Sequence, residues 1–406
     1  MNLSTIWKSI RNIANEIHLY AGLISGIIVI AVCLSGTIYV YNSEIRELSN
    51  PELYQVEKSG SRLLAEDLKL ILESKLDSKV VGVNWNNDPY QSVQFTLKKE
   101  EEKGRGTTYF INPYSAEVLG DASVKTSAAE FMGYMFSLHR WLMLDRIEAP
   151  ILESMSNRDL GRLINGIATL LFTLGVITGI VLWVPKKVKN WKQGLKVKWN
   201  ANWKRVNHDL HNTLAFYSLI FLLLMGATGP FWSFQWYREG WQKTWDTYRD
   251  PNEKSEVLEE PKPLIISSSE IYTLDEIMEA SNKVLPYKGI YRISLPENQT
   301  ELVTVSKYKT GFFARSGSDQ VKINPNSMEV VEANLFSELP FRQQVGRSVK
   351  SLHTGDIFGQ FTKFIWFIAC LIATSLPISG TLIWLNKKKK KTSKKKPVEK
   401  RNLEMA

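Results

Sequence analysis

The 406-residue sequence contains only two cysteines, Cys33 and Cys370, and neither belongs to a CxxC or CxxCH pattern. So few cysteines exclude a disulfide framework, and the missing motifs argue against c-type haem attachment and iron–sulfur clusters. We therefore expect both cysteines to be small packing residues. A glycine-rich dinucleotide fingerprint is also missing, so the sequence gives no sign of a nicotinamide-binding module.

Four long stretches lack Asp, Glu, Lys and Arg altogether: 19–41, 163–185, 210–237 and 364–386. Each is long enough to cross a hydrocarbon core of about 30 Å as a helix. The first stretch is too long for the core of a signal peptide and has no small-x-small cleavage site, so we interpret it as a retained helix. The sequence predicts an integral membrane protein with four transmembrane helices.

Positive charge is concentrated in the short segment between the second and third stretches and in the tail after the fourth. Both long connectors carry more acidic than basic residues. Because Lys and Arg collect on the cytoplasmic side of membrane proteins, we expect both termini and the short loop to be cytoplasmic. This distribution accounts for the net charge of +10 without a nucleic-acid partner.

The two halves of the chain carry matching elements in the same order. His18 precedes Gly36 by the same spacing at which His211 precedes Gly229, and each glycine follows a small hydroxyl residue. The other matches are 111–118 with 323–330, Ser137-Leu138-His139 with Ser351-Leu352-His353, and Gly179 and Trp183 with Gly380 and Trp384. Both halves start and end inside, which predicts a parallel tandem repeat about an axis along the membrane normal.

The predicted architecture is therefore a membrane α-helical protein: a four-helix transmembrane bundle with two external α+β modules. Its parts in chain order are a cytoplasmic N-terminus (1–17), span 1 (18–41), external module 1 (42–160), span 2 (161–185), a basic cytoplasmic loop (186–207), span 3 (208–237), external module 2 (238–360), span 4 (361–386) and a lysine-rich cytoplasmic tail (387–406).

Local signals favour a helix followed by antiparallel strands in each external connector. In the first, Ser61 is placed to cap a helix, and the apolar residues of 93–97 alternate as in a strand. In the second, Thr273 and Glu276 have the spacing of a capping box ahead of an apolar helical pattern.

All five histidines lie at predicted membrane edges. A single histidine at a helix end is more often an ordinary interfacial residue, but four of these are related by the repeat. His18 and His211 would face each other near the inner leaflet, and His139 and His353 near the outer one. Opposed imidazoles in an apolar bundle are what axial ligation of a b-type haem requires, and two such haems would support electron transfer.

His208 has no histidine counterpart, since Asn15 occupies the matching position. It lies one turn before His211 on a similar face, so it stays an alternative ligand or a partner for a haem propionate. The competing interpretation of the set is a structural or metal-ion cluster. A zinc site needs three or four ligands close together, which the division between the two membrane sides argues against.

On these motifs the chain resembles the PepSY-associated transmembrane proteins, the iron-regulated membrane proteins of bacteria that include ferric-siderophore reductases. The resemblance covers residues from about 10 to 388 and rests on the order and duplication of the motifs, including the Asn-Pro-x-Ser-x-Glu-Val endings of PepSY-like modules. It implies an inner-membrane location, haem in the bundle and reduction of iron chelates on the periplasmic side. The haem ligands that it implies are His18, His139, His211 and His353.

Two features depart from the family pattern. His139 stands thirteen residues further from Gly179 than His353 does from Gly380. Either an insertion such as 145–159 loops out, or the outer site is distorted. Some relatives carry a cytoplasmic flavin and nicotinamide module after the last span, for which this sequence shows no fingerprint. The electron donor is then expected to be a separate flavoprotein or a quinol.

Two other functions compete with an electron-transfer role. One is a non-enzymatic membrane scaffold or regulator whose PepSY modules bind a partner or restrain an external protease. The other is a transporter, against which the lack of charged residues within the spans argues.

Overall fold

The computed structural model describes residues 3–403 except 101, 125, 186–187, 251–271 and 297–300. Lys186 and Lys187, at the start of the predicted basic loop, lie outside the described residues. The helices are α1 Leu3–Tyr39, α2 Asn42–Ser49, α3 Pro51–Tyr54, α4 Ala65–Leu76, α5 Ser127–Trp141, α6 Asn157–Trp183, α7 Trp203–Thr228, α8 Gln235–Thr244, α9 Leu274–Val284, α10 Phe341–Arg347, α11 Val349–Thr354 and α12 Gly359–Leu403. The strands are β1 Lys79–Trp85, β2 Val93–Lys98, β3 Thr107–Ile111, β4 Val118–Asp121, β5 Gly289–Ser294, β6 Val303–Lys309, β7 Ser318–Ile323 and β8 Val330–Asn334.

Within the described ranges, four helices are long and apolar enough to cross a membrane: α1, α6, α7 and α12. α1 and α7 each pack against both α6 and α12, so the four close into a bundle. The side chains of Ser156 and Asn202 cap the N-termini of α6 and α7, respectively, by accepting a hydrogen bond from a backbone N–H. Within the spans, Ser35 and Thr228 are fully buried and donate to backbone carbonyls of their own helices.

The bounds of the helices differ from the predicted spans, because a helix can extend beyond the apolar stretch from which the span was predicted. α1 begins well before residue 18, and α6 begins before residue 161. The third span was predicted as 208–237, whereas α7 covers Trp203–Thr228 and a 3-10 turn follows at Gly229–Trp232. Pro230, which has no backbone N–H to continue the helix, lies in that turn.

The strands of both halves form one eight-stranded antiparallel sheet in the order β4-β3-β2-β1-β5-β6-β7-β8. The two external α+β modules predicted from the sequence share this one sheet, since β1 pairs with β5 across its middle. Their pairing gives each strand a backbone hydrogen-bonding partner on the edge that would otherwise be open. A single apolar core under α4 and α9 runs through both halves.

The prediction that Ser61 caps the first external helix is wrong. Ser61 lies in a bend, and α4 begins only at Ala65 with no side-chain cap from its own segment. Its first N–H groups are instead satisfied from the other half of the chain. The capping box of Thr273 and Glu276 on α9 is confirmed.

The N-termini of α4 and α9 cap each other. Asp275 accepts hydrogen bonds from the N–H groups of Ala65 and Glu66, at 3.0 and 2.9 Å. The Glu66 carboxylate accepts one from the N–H of Leu274 at 2.9 Å. These bonds link residues more than 200 positions apart, so the two halves are tied by helix caps as well as by the sheet.

Asp275→Ala should lower the free energy of unfolding by about 1–2 kcal/mol, because two N–H groups of α4 lose their acceptor. The measurement is the melting temperature of the detergent-solubilised protein, followed by tryptophan fluorescence. Asp67→Ala is the matched control, since Asp67 lies exposed in the same first turn of α4. Equal melting temperatures for the two variants would contradict the capping role of Asp275.

Candidate haem-binding site

Four histidines meet in two pairs, one at each end of the bundle. His18 of α1 and His211 of α7 form the lysine-side pair, named for the basic segments at that end; their ring centroids lie 6.2 Å apart with planes at 89°. His139 of α5 and His353 of α11 form the sheet-side pair, with centroids 6.0 Å apart and planes at 58°. The steep angles exclude face-to-face stacking as the reason for either approach.

The Nδ1 atoms of the lysine-side pair are each held by a neighbouring helix. His18 Nδ1 donates to the carbonyl oxygen of Gly175 at 2.8 Å. His211 Nδ1 lies 2.9 Å from the hydroxyl of Ser379. That hydroxyl already donates to the carbonyl of Ser375, so it accepts from the imidazole. Both rings therefore carry their proton on Nδ1.

The sheet-side pair has the same arrangement. His139 Nδ1 donates to the carbonyl oxygen of Val32 at 2.9 Å. His353 Nδ1 lies 2.9 Å from the Thr228 hydroxyl, which donates to the carbonyl of Leu224 and so accepts from the ring. Each pair thus contains one histidine held by a carbonyl and one held by a hydroxyl.

A glycine lies against each of the four rings. A Cβ atom added at Gly36 would come within 2.8 Å of His139 Cε1, a distance that a real Cβ does not reach. An added Cβ would lie 3.3 Å from His18 at Gly179, 3.3 Å from His211 at Gly380 and 3.6 Å from His353 at Gly229. The missing Cβ at Gly36 is therefore required for the approach of His139, whereas the contacts at Gly179 and Gly380 are tight and the one at Gly229 is an ordinary van der Waals contact.

This network leaves the four Nε2 atoms with free lone pairs, the state in which imidazole binds a metal. Across the ranges that the structure describes, none of the four Nε2 atoms has a hydrogen-bond partner. Each ring also keeps part of its surface uncovered by protein. A polar nitrogen without a partner is costly inside a membrane, so the arrangement favours a ligand at Nε2.

The spacing of each pair fits one metal ion between two imidazoles. Two metal–nitrogen bonds of about 2.0 Å, plus about 1.15 Å from each nitrogen to its ring centroid, separate the centroids by about 6.3 Å. The observed separations of 6.2 and 6.0 Å agree with this value. Within the described part of the chain, no group of three or more His, Cys, Asp or Glu side chains is placed to hold a metal ion. Two nitrogen ligands without a third suit haem iron, whose macrocycle supplies the other four.

His208 does not join the lysine-side pair. Its Nδ1 lies 3.5 Å from a carboxylate oxygen of Asp209 and 3.4 Å from the amide nitrogen of Asn212, and its side chain is about half exposed. His211 is the residue that the structure places opposite His18.

For some residues that support the histidines, the sequence contains a signal that was not recognised. Ser35-Gly36 and Thr228-Gly229 were recognised, but the same hydroxyl–glycine dipeptide recurs as Thr178-Gly179 and Ser379-Gly380. Other residues gave no signal. Trp232, at the end of the third apolar stretch, packs edge-on against His353 with centroids 5.1 Å apart.

The fold and the site define a class: a membrane protein with four membrane-crossing helices, an antiparallel sheet at one end and histidine pairs at two levels of the bundle. The chain belongs to the family of the PepSY-associated TM region, whose sequence model matches residues 16–387. A comparison with curated proteins gives no match.

Proposed function

We propose that this protein is a transmembrane b-haem electron-transfer protein that reduces ferric chelates, such as siderophores, in iron acquisition. The observation that carries the proposal is the geometry of the two histidine pairs. His18 with His211, and His139 with His353, would each supply the two axial ligands of one haem. A haem held by these residues would supply one-electron oxidation and reduction.

The chain itself positions these ligands. The Nδ1 bonds fix the tautomer and the orientation of each ring, and they raise its basicity as a ligand. Val32, which holds His139, and His18 are fourteen residues apart on α1, or about 21 Å at 1.5 Å per residue. The two levels therefore lie towards opposite sides of a membrane core of about 30 Å.

The direction of the transfer follows from the charge distribution. The basic loop and tail support cytoplasmic termini, which puts the sheet on the outer face of a bacterial inner membrane. Electrons would then enter at the lysine-side pair from a separate flavoprotein or a quinol. They would leave at the sheet-side pair towards a ferric chelate.

We also propose that the chain is a parallel tandem repeat. The strand order is symmetric about the β1–β5 pair, and the caps between α4 and α9 are reciprocal. The same hydroxyl–glycine element lies against each of the four histidines. Duplication of one helix–sheet–histidine–helix unit accounts for all three observations.

The proposal is tested by the visible spectrum and the haem content of protein produced with ample haem. We expect a low-spin Soret band and two haems per chain. The reduced protein should be reoxidised by a ferric trihydroxamate in the absence of oxygen, with ferrous iron trapped by a chromogenic chelator. A preparation without a Soret band would refute the proposal and leave a scaffold role; full haem without reoxidation would refute the reductase activity.

A further inference from the structure

A group of arginines lies beside the sheet-side pair, where α5 meets the start of α6. Arg140 directly follows His139, and its guanidinium lies 5.6 Å from the ring centroid of Trp141. Arg158 lies 4.0 Å from the same ring. Arg162, one helical turn further along α6, completes the group, which we call the arginine cluster.

Little negative charge balances this cluster. Asp159 pairs with Arg162 at 2.9 Å. In the described segments, Arg140 and Arg158 have contacts with aromatic rings but no acidic partner within salt-bridge distance. Three neighbouring guanidinium groups and one carboxylate carry a net positive charge, which a bound anion would neutralise.

Unsatisfied polar atoms collect at the same place. Trp141 Nε1, Arg162 Nε and Asn165 Oδ1 are buried without a hydrogen-bond partner in the described structure. The indole is only 6 % exposed, so water does not readily satisfy it. Asn165 is tied directly to the site, since its amide donates to the carbonyl of His139 at 2.6 Å. Two of the three unsatisfied atoms are donors, as an anion requires.

The corresponding place in the second half has no such excess of charge. Lys363 precedes Gly380 by the seventeen residues that separate Arg162 from Gly179, and Thr354 and Gly359 occupy the positions of Arg140 and Arg158. Lys363 is neutralised by Glu44. Burial alone would raise the pKa of Glu44, but hydrogen bonds from Lys363 and Gln360 lower it on balance. The excess positive charge is thus confined to one side of the sheet-side pair.

We infer that the arginine cluster binds carboxylate groups next to the sheet-side pair. This inference rests on the proposed function, which supplies two sources of carboxylate. One is an anionic iron chelate arriving from the sheet side, and the other is the propionates of a haem held by His139 and His353. Planar guanidinium groups bind carboxylates through paired hydrogen bonds, which suits both.

The test uses Arg140→Gln and Arg158→Gln in the full-length, haem-loaded protein. Arg105→Gln is the control, because Arg105 lies exposed between β2 and β3 and its loss changes the net charge equally. Binding of iron-free citrate and of ferric citrate is measured by titration calorimetry, and haem content and reduction potentials are measured on the same samples. Arg158 is exposed, so its variant should fold even where that of Arg140 does not.

If the cluster receives a free chelate, each cluster variant should weaken citrate binding about ten-fold with unchanged haem content. If it holds propionates, citrate should bind poorly to every form, and the cluster variants should lose or shift the potential of one haem. Cluster variants that match Arg105→Gln in citrate affinity, haem content and potential would overturn the inference. If a protein without a Soret band binds citrate and Arg140→Gln weakens that binding, the carboxylate site stands and the proposed function is refuted.

Discussion

His353→Ala should remove the sheet-side haem and leave the lysine-side haem in place, so that the haem-to-protein ratio falls by about half. The reason is that loss of one axial imidazole leaves the iron with a single ligand from the protein, while His18 and His211 keep their own contacts at the other end of the bundle. His211→Ala should have the reciprocal effect. Sites this far apart are expected to respond independently.

His208→Ala is the matched control for this prediction. His208 lies on the same helix as His211, three residues earlier, but its ring contacts Asp209 and Asn212 and not His18. This variant should keep both haems. Full haem content in the His353 and His211 variants, or loss of haem in the His208 variant, would show that the ligands are assigned wrongly. The readouts are haem content per chain and the low-spin spectrum.

Gly36→Ala should also remove the sheet-side haem, although it changes no ligand. The added Cβ would lie 2.8 Å from His139 Cε1 and 2.9 Å from its Nδ1, so the ring must move. Moving it breaks the hydrogen bond from Nδ1 to the carbonyl of Val32, which holds the ring beside His353. We expect about half of the haem content and a destabilisation of about 1–3 kcal/mol from overpacking.

Gly22→Ala on the same helix is the control, because an added Cβ there meets no atom within 4 Å. It should retain both haems, with a melting temperature at or above that of the wild type, because alanine favours a helix more than glycine does. A Gly36→Ala protein with two haems and an unchanged spectrum would show that the ring tolerates the methyl group. The close approach between α1 and His139 would then have no role in ligand positioning.

Patterns that act locally along the chain were readable from the sequence. The absence of charge over four long stretches predicted four apolar helices, and the spacing of Thr273 and Glu276 predicted a capping box. The same reasoning failed at Ser61, because the acceptor that caps α4 is Asp275 from the other half. A local pattern cannot reveal a partner 210 residues away.

The candidate site was partly accessible in the same way. The repeat allowed His18 to be matched with His211, and His139 with His353, before any distance was known. It did not reveal that α5 lies against α1, which is what brings His139 to Val32 and Gly36. It also missed the arginine cluster, because Arg140 and Arg158 look like ordinary residues at the edge of a membrane helix until Trp141 brings them together.

The sequence by itself determined the membrane class, the bounds of the apolar stretches and the set of histidines, because hydropathy and repeat spacing are properties of neighbouring residues. Only the tertiary structure decided that β1 and β5 join one sheet, that His211 and not His208 faces His18, and that another helix holds the Nδ1 atom of each paired histidine. Those outcomes depend on backbone pairing and on hydrogen bonds between helices distant in the chain. Such contacts form only once the bundle and the sheet are packed.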